Sequence, residues 1–594
     1  MKPYFQRGIA LGALLALAVG GGCKVGSDYQ KPNVAKQVSA SYSETKEEAQ
    51  VSLQTGEDVS SWWRQINDPV LAQLTQNAVS GSLTLQEALF RIQAARAALG
   101  STNSNLLPQF AQDGGYAHQT YGGHSQSVFS TATSMSWELD VFGRIQRSIE
   151  AANADMEVQR WLYRDAYVIL VADVAQAYVD ARSYQDQIRS AKISILVQQC
   201  IVDYVKNNAE GGRMAPFDIS RAVAPMRTTE ATLSTLETQY QQAINRLCIL
   251  LGRPTGDDYV ASTLLDDRVL PTMEELNALI NSGLEADREK FVAIMRNLFL
   301  EDLRTPKAPE TLLVGIPADL LRRRPDVRAA EQRIVAQNAR VGVAVADLYP
   351  MFTLSGSFGL EANSFSNMFD SDSIAAGVGP AFRWNILNFG KYRFNIEAQR
   401  FMQEELIATY RQTVLEAAEE VDNALVMYDN ESDRNVKLEQ AVEAYLDVLD
   451  KTLVIKSAGA GDIQPILEAA AGLVSNGLQF VQSKGNQTSS IVRLYRALGG
   501  DWDAAPADPV EAVAPVASDY DPKEDWERRQ AESEIFVADA LAAAQTENEV
   551  VVENADFEIA ADDELEASPE LAELGEPAVA TVDESYADEA LIVE

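Results

Sequence analysis

One corner of this chain occurs twice. Ser136-Trp137-Glu138-Leu139-Asp140-Val141-Phe142-Gly143-Arg144 returns as Arg383-Trp384-Asn385-Ile386-Leu387-Asn388-Phe389-Gly390-Lys391. The spacing is 247 residues for the tryptophans and for the glycines. The same spacing holds through Ile149-Glu150-Ala151 and Ile396-Glu397-Ala398, and through the pairs Tyr163/Tyr410, Val174/Val421, Gly212/Gly459, Arg246/Arg493 and Gly252/Gly499. Chance identities do not keep one register over so long a stretch, so the chain holds an internal duplication. Whatever fold one half takes, the other must take a copy of it.

The pattern changes at the corner. Before it, Phe129, Thr131, Thr133, Met135, Trp137 and Leu139 alternate with Ser130, Ala132, Ser134, Ser136, Glu138 and Asp140, which predicts a strand with one apolar face. After Gly143, helical spacing runs to Asn207 with no proline or glycine, and the glycine supplies the backbone freedom of the joint. Those 65 residues would span roughly 98 Å, about three times a bilayer's apolar core, and they are too charged for lipid. Their stripe of Leu170, Val174, Ala177 and Ala181, matched by Ala417, Val421, Ala424 and Tyr428, suits closely packed helices. Each half therefore reads as a helix, two strands, a very long helix and its return partner.

Taken in order, residues 1–22 read as a secretory signal, with Lys2 and Arg7 before a short apolar run, and Cys23 as the first mature residue and lipid attachment point. An ordinary cut nearby would leave Cys23 a free thiol. Residues 23–60 form an extended lead-in, and helical spacing covers 61–99 in one run. The first strand is expected at 110–121, from the repeat rather than its own poor alternation. In the second half, Pro325-Asp326 opens a helix, strand alternation covers 352–360, and a last strand is expected from about Ala376 to Leu387. The domain reading is 61–255 for repeat 1, 256–314 for an enlarged linker with helical pattern at 273–304, 315–502 for repeat 2, and 503–594 for an acidic tail.

Net charge is −38 (49 bases against 87 acids), of which the tail from Asp503 holds 28 acids and 3 bases, a composition that predicts disorder there and argues against nucleic acid as a partner. Four strands with an apolar face fit an outer membrane but cannot close a barrel, and open edges in lipid leave backbone groups unpaired. The fold expected is mainly α with a membrane β-barrel portion, completed by copies of the chain.

The motifs also resemble a known family. Cys23-Lys24-Val25-Gly26-Ser27-Asp28-Tyr29, Trp62-Trp63, the Trp137–Arg144 corner, Gly315-Ile316-Pro317-Ala318-Asp319-Leu320-Leu321-Arg322-Arg323-Arg324-Pro325-Asp326 and Ala497-Leu498-Gly499-Gly500-Asp501-Trp502 are similar to the outer-membrane efflux proteins of the TolC/OprM type, in their NodT-like lipoprotein branch. That resemblance implies a homotrimer with a twelve-stranded barrel and a long α-helical coiled-coil tunnel. It implies the exit duct of a tripartite pump, passing small molecules with a periplasmic adaptor and an inner-membrane transporter of the RND type. It sets Gly212, Arg213, Gly459 and Gly461 at adaptor-docking tips, and Asp218, Asp462 and Glu468 at the periplasmic entrance. Each acid, read alone, is equally a solvated turn or helix-start residue. Trp137, Gly143, Trp384 and Gly390 mark the strand–helix corners.

A one-step protein-secretion duct and a non-conducting envelope protein compete with this reading. Cys200 and Cys248 lie at different distances from the tip and should stay unpaired. His118 and His124 have no ligand cluster beside them, so no metal is expected, and nothing in the motifs calls for a cofactor or for enzyme chemistry.

Overall fold

The computed structural model describes residues 24–32, 66, 68–122, 124–212, 215–281, 285–308, 323–457, 464–500 and 505. The signal, Cys23, the Gly315–Arg322 motif and the acidic tail apart from Ala505 lie outside the described residues.

Where one run of helix is expected over 61–99, the described part holds two, α1 (Pro69–Gly81) and α2 (Leu83–Ser104). Asp68 caps the first through Val70 N (2.9 Å) and Leu71 N, with Pro69 at its start. Ser82 ends α1 and caps α2, its hydroxyl accepting from Leu85 N. Apolar spacing continues across the break, so periodicity alone does not show it. Strands β1 (Gln109–Tyr121) and β2 (His124–Leu139) follow, then α3 (Arg144–Glu210) and α4 (Pro216–Leu250).

The linker carries α5 (Asp258–Thr263), α6 (Met273–Asn281), α7 (Glu285–Arg296) and a π-turn, Asn297–Glu301. The second half gives α8 (Pro325–Ala346), β3 (Met351–Ala362), β4 (Ile374–Arg383), α9 (Lys391–Ser457) and α10 (Gln464–Ala497). The helix α3 has 67 residues and so has α9, about 100 Å each. No described helix is long and apolar enough to cross a membrane.

β4 stops at Arg383, short of the expected Leu387. Its partner β3 begins at Met351, directly after Pro350, and Met351 lies opposite Arg383. No β3 residue remains to pair with Trp384 and beyond.

Three apolar clusters hold the described helices, a small one between α8 and α9 around Ile334 and Tyr410 and two larger ones. One, nearer the sheet, joins α1 and α2 to α3, α4, α9 and α10 around Leu71, Val174, Tyr178, Leu247 and Tyr495. The other, nearer the hairpin tips, gathers Ile193 and Val205 of α3, Leu446 of α9 and Leu473 of α10 around Phe291 and Phe299 of the linker. Between them lies a polar belt on α3 with Ser183, Gln185, Asp186, Gln187 and Ser190 all buried.

Candidate functional site: sheet, corners and hairpin tips

The four strands make one antiparallel sheet in the order β1-β2-β3-β4. Its register sorts the side chains into two faces. Phe110 lies opposite Met135 and Tyr116 opposite Phe129; Trp137 faces Leu354 and Leu139 faces Phe352; Phe352 faces Phe382 and Gly356 faces Val378. Directly opposed residues share a face, so these make one apolar surface across all four strands. It is open: Phe110, Tyr116, Phe358, Val378 and Phe382 are each about 60–75 % exposed. Gln112 sits on this face, bonded to Thr131 (2.7 Å) and Thr133. The other face carries Asp113, Ala132, Ser134, Ser136, Ser355, Ser357, Gly359 and Glu361. Among the described residues β1 and β4 each have one unpaired edge.

Both corners lock the same way. The Trp137 indole donates to the Leu106 carbonyl at the end of α2 (2.9 Å), and the Trp384 indole donates to the Leu348 carbonyl past α8 (3.1 Å). Gly143 turns with φ +76° and Gly390 with φ +89°. At the first corner the Asp140 carboxylate accepts from Ile145 N and Gln146 N at the start of α3, and Arg144 pairs with Glu138. Leu387 stands in the place of Asp140 at the second corner, 79 % exposed.

The lead-in is part of the first corner. Lys24 packs on Gly143, where a Cβ would lie 2.9 Å from the Lys24 Cα, and Val25 N donates to Phe142 O. Arg147, only 1 % exposed, donates to Val25 O, Gly26 O, Asp28 and Glu150. The segment then runs along α8, with Asn338 bonded to Ser27 O and Lys31 to Glu331 (2.7 Å). Sequence reading has Arg147 only as one charge in a charged run. The nearby Gly26 and Gly342 were the available hint, because small residues on two segments let backbones approach.

At the first hairpin tip Gly212 has φ +68°. Asp218 accepts from Ala215 N (3.1 Å) and so caps α4. Glu468 is exposed in the first turns of α10 and accepts from Gln464. Phe217, beside Asp218, is 65 % exposed. Arg213, Gly459, Gly461 and Asp462 lie outside the described residues, so the two tips cannot be compared as whole turns. Cys200 and Cys248 are both buried and free; burial pushes the Cys200 thiol up to about 11. Among the described residues no cluster of His, Cys, Asp and Glu could hold a metal ion.

Residues 74–253 and 316–500 match the family described as outer membrane efflux protein. The chain belongs to that family. The probable efflux pump outer membrane protein SepC of Pseudomonas putida is 27 % identical over 531 residues, covering 86 % of this chain and all of SepC. Nodulation protein T of Rhizobium leguminosarum is 26 % identical over 461 residues, 76 % of this chain and 89 % of its own. The solved outer-membrane channel OprN superposes with a TM-score of 0.67 at 28 % identity, over 81 % of this chain and all of OprN. As a family member this chain is an outer-membrane efflux protein, and its fold combines helical rods with membrane strands. The family match leaves 254–315 unassigned, the stretch that holds α5, α6, α7 and the π-turn.

Proposed function

We propose that three copies close one twelve-stranded barrel over one helical tunnel, forming the exit duct of a tripartite efflux pump for small molecules. One observation carries the assembly: a surface that is buried inside the protomer in one half stands bare in the other. Within the protomer α3 packs on α8, where Ala336 and Ala339 are fully buried and a Cβ on Gly342 would lie 2.8 Å from Arg147. The prolines ahead of β1 and β3 align α2 with α8, so Ala94, Ala97 and Gly100 are the counterparts, and all three are exposed. A Cβ on Gly100 would meet nothing within 4 Å.

The counterparts of Arg147, Ala154 and Val168 on α9 are Phe394, Phe401 and Leu415, which are 69 %, 67 % and 44 % exposed. An α9 of one copy seated on the α2 of the next repeats the internal packing between copies, with Phe394 over Gly100. The same step brings β4 of one copy to β1 of the next and removes both open edges. Strand arithmetic requires two copies or more; three follows from the family resemblance.

On this reading residues 61–255 and 315–502 supply two staves of one wall, and the apolar sheet face meets lipid. Cys23 follows the same logic. Lys24, the residue after it, packs on Gly143 at the strand–helix corner, and a lipid carried by the chain there would anchor that corner at the bilayer surface. The hairpin tips around Gly212, Arg213, Gly459 and Gly461 meet a periplasmic adaptor, which couples the duct to an inner-membrane transporter of the RND type. Asp218, Asp462 and Glu468, three of each, charge the entrance and favour cations there. Purified protein added to planar bilayers tests the reading. Discrete conductance steps are expected; membranes that stay sealed under every condition contradict a duct.

A further inference from the structure

We propose that the linker between the two halves is a latch, fixed to the first hairpin and releasable from the second, that sets how far the second hairpin's tip can swing away. The fixed end is the Asp186 carboxylate of α3, which is fully buried. It pairs with Arg268 (2.8 Å) and accepts from Arg304 N (3.0 Å), Thr305 N (2.8 Å) and the Thr305 hydroxyl (2.8 Å). Arg189 of the same helix adds an ion pair to Asp302 (2.9 Å), and Gln185 bonds to Leu264 O. A buried carboxylate with four donors from the two ends of one segment holds that segment firmly, because losing Arg268 would leave the buried charge without its counter-ion.

The other end is built differently. Arg288 of α7 pairs with Asp450 of α9 (2.7 Å), and Arg296 reaches Glu443 (3.7 Å), both in partly exposed positions. Phe299 of the π-turn fills the space over Gly477 of α10, where a Cβ would lie 2.4 Å from the ring. A ring seated in a glycine notch and partly exposed ion pairs separate at less cost than a fully buried carboxylate.

Position along α10 shows what the latch replaces. At Gly485 the nearest atoms belong to Ser183 of α3, so there the hairpins touch directly. Two helical turns nearer the tip, at Gly477, the nearest atoms belong to Phe299. Phe291, Met295 and Leu298 join the apolar cluster that both tips share. The polar belt between the two larger clusters keeps buried atoms without partners, Arg189 Nε, Ser190 Oγ and Asn435 Oδ1 among them. Such a belt is a natural level for one core to shift against the other.

The test is amide hydrogen exchange on the intact protein purified from the membrane, comparing the wild type with Asp450→Arg, with Asp450→Arg combined with Arg288→Asp, and with Phe299→Ala. Asp450→Arg and Phe299→Ala should speed exchange several-fold in residues 440–480 while residues 193–205 of α3 keep their protection. The double reversal should return exchange in 440–480 to the wild-type rate, which a general folding defect would not allow. Unchanged exchange in 440–480, equal loss of protection in both hairpins, or no rescue by the reversal would each overturn the latch. This readout does not depend on conduction, so it stands or falls separately from the duct.

Discussion

Phe394 gives the sharpest test of the seam between copies. In the protomer it is 69 % exposed, in the place where Arg147 is buried in the other half. Covering a phenylalanine fully contributes about 1.5–3 kcal/mol, so covering the exposed two-thirds contributes about 1–2 kcal/mol at each seam. A closed ring of three has three seams, about 3–6 kcal/mol in all, since Phe394→Ala removes each once. At about 1.4 kcal/mol per factor of ten, that weakens assembly by roughly 10²- to 10⁴-fold. The assay is the temperature and dilution at which detergent-solubilised trimer falls to monomer.

Gly100→Leu attacks the same seam from the other side, and its two effects have opposite signs. Within the protomer there is open space for the side chain, and leucine favours helix over glycine by up to about 1 kcal/mol. In the assembly it meets the neighbour's Phe394. Helix content should therefore hold while the trimer weakens. Phe358→Ala, on the central strand β3 with similar exposure, should leave trimer dissociation near wild type. If Phe394→Ala and Phe358→Ala dissociate alike, and Gly100→Leu assembles normally, the seam is misplaced.

Two further predictions follow from the helices. Burial pushes Asp165 up to about 6, with repulsion from Asp326 adding to it and Arg324 and Arg496 opposing it. The folded chain thus holds that proton more tightly than the unfolded chain, and stability falls as pH rises between about 4 and 6. Asp165→Asn should raise thermal stability at pH 7–8, by up to about 3 kcal/mol, and do nothing at pH 4; equal effects at both would refute the assignment. At the entrance, alanine at both Asp218 and Glu468 should reduce cation preference and change single-channel conductance. Unchanged selectivity would leave Asp218 as the helix cap that it visibly is.

The sequence carried the parts of this fold that depend on local pattern. Alternation through Trp137 and the shift to helical spacing at Gly143 are period changes written in the residues themselves, and duplication turned one corner into two. The break at Ser82 was hidden because a capping serine sits inside an unbroken apolar rhythm. The end of β4 was hidden for a different reason: pairing is set by where β3 begins, at Met351 just after Pro350, over 30 residues away in sequence. Arg147 was harder still. Besides Glu150 on the same helix, its partners come from a lead-in over 100 residues upstream, and no helical pattern marks a buried arginine. The linker's helical stretch was legible as apolar spacing, but the Phe299–Gly477 notch and the four donors on Asp186 exist only once separate segments meet. At the tips, Asp218 was legible as a helix-start acid; its role at an entrance depends on other copies.

The mass of the complex extracted from the outer membrane bears most directly on whether copies complete one conduit. Native mass measurement in mild detergent should give about three times the mass of the denatured chain from the same preparation, the 594-residue sequence totalling 64.9 kDa. A single chain's mass, from protein that still conducts in bilayers, would contradict the account.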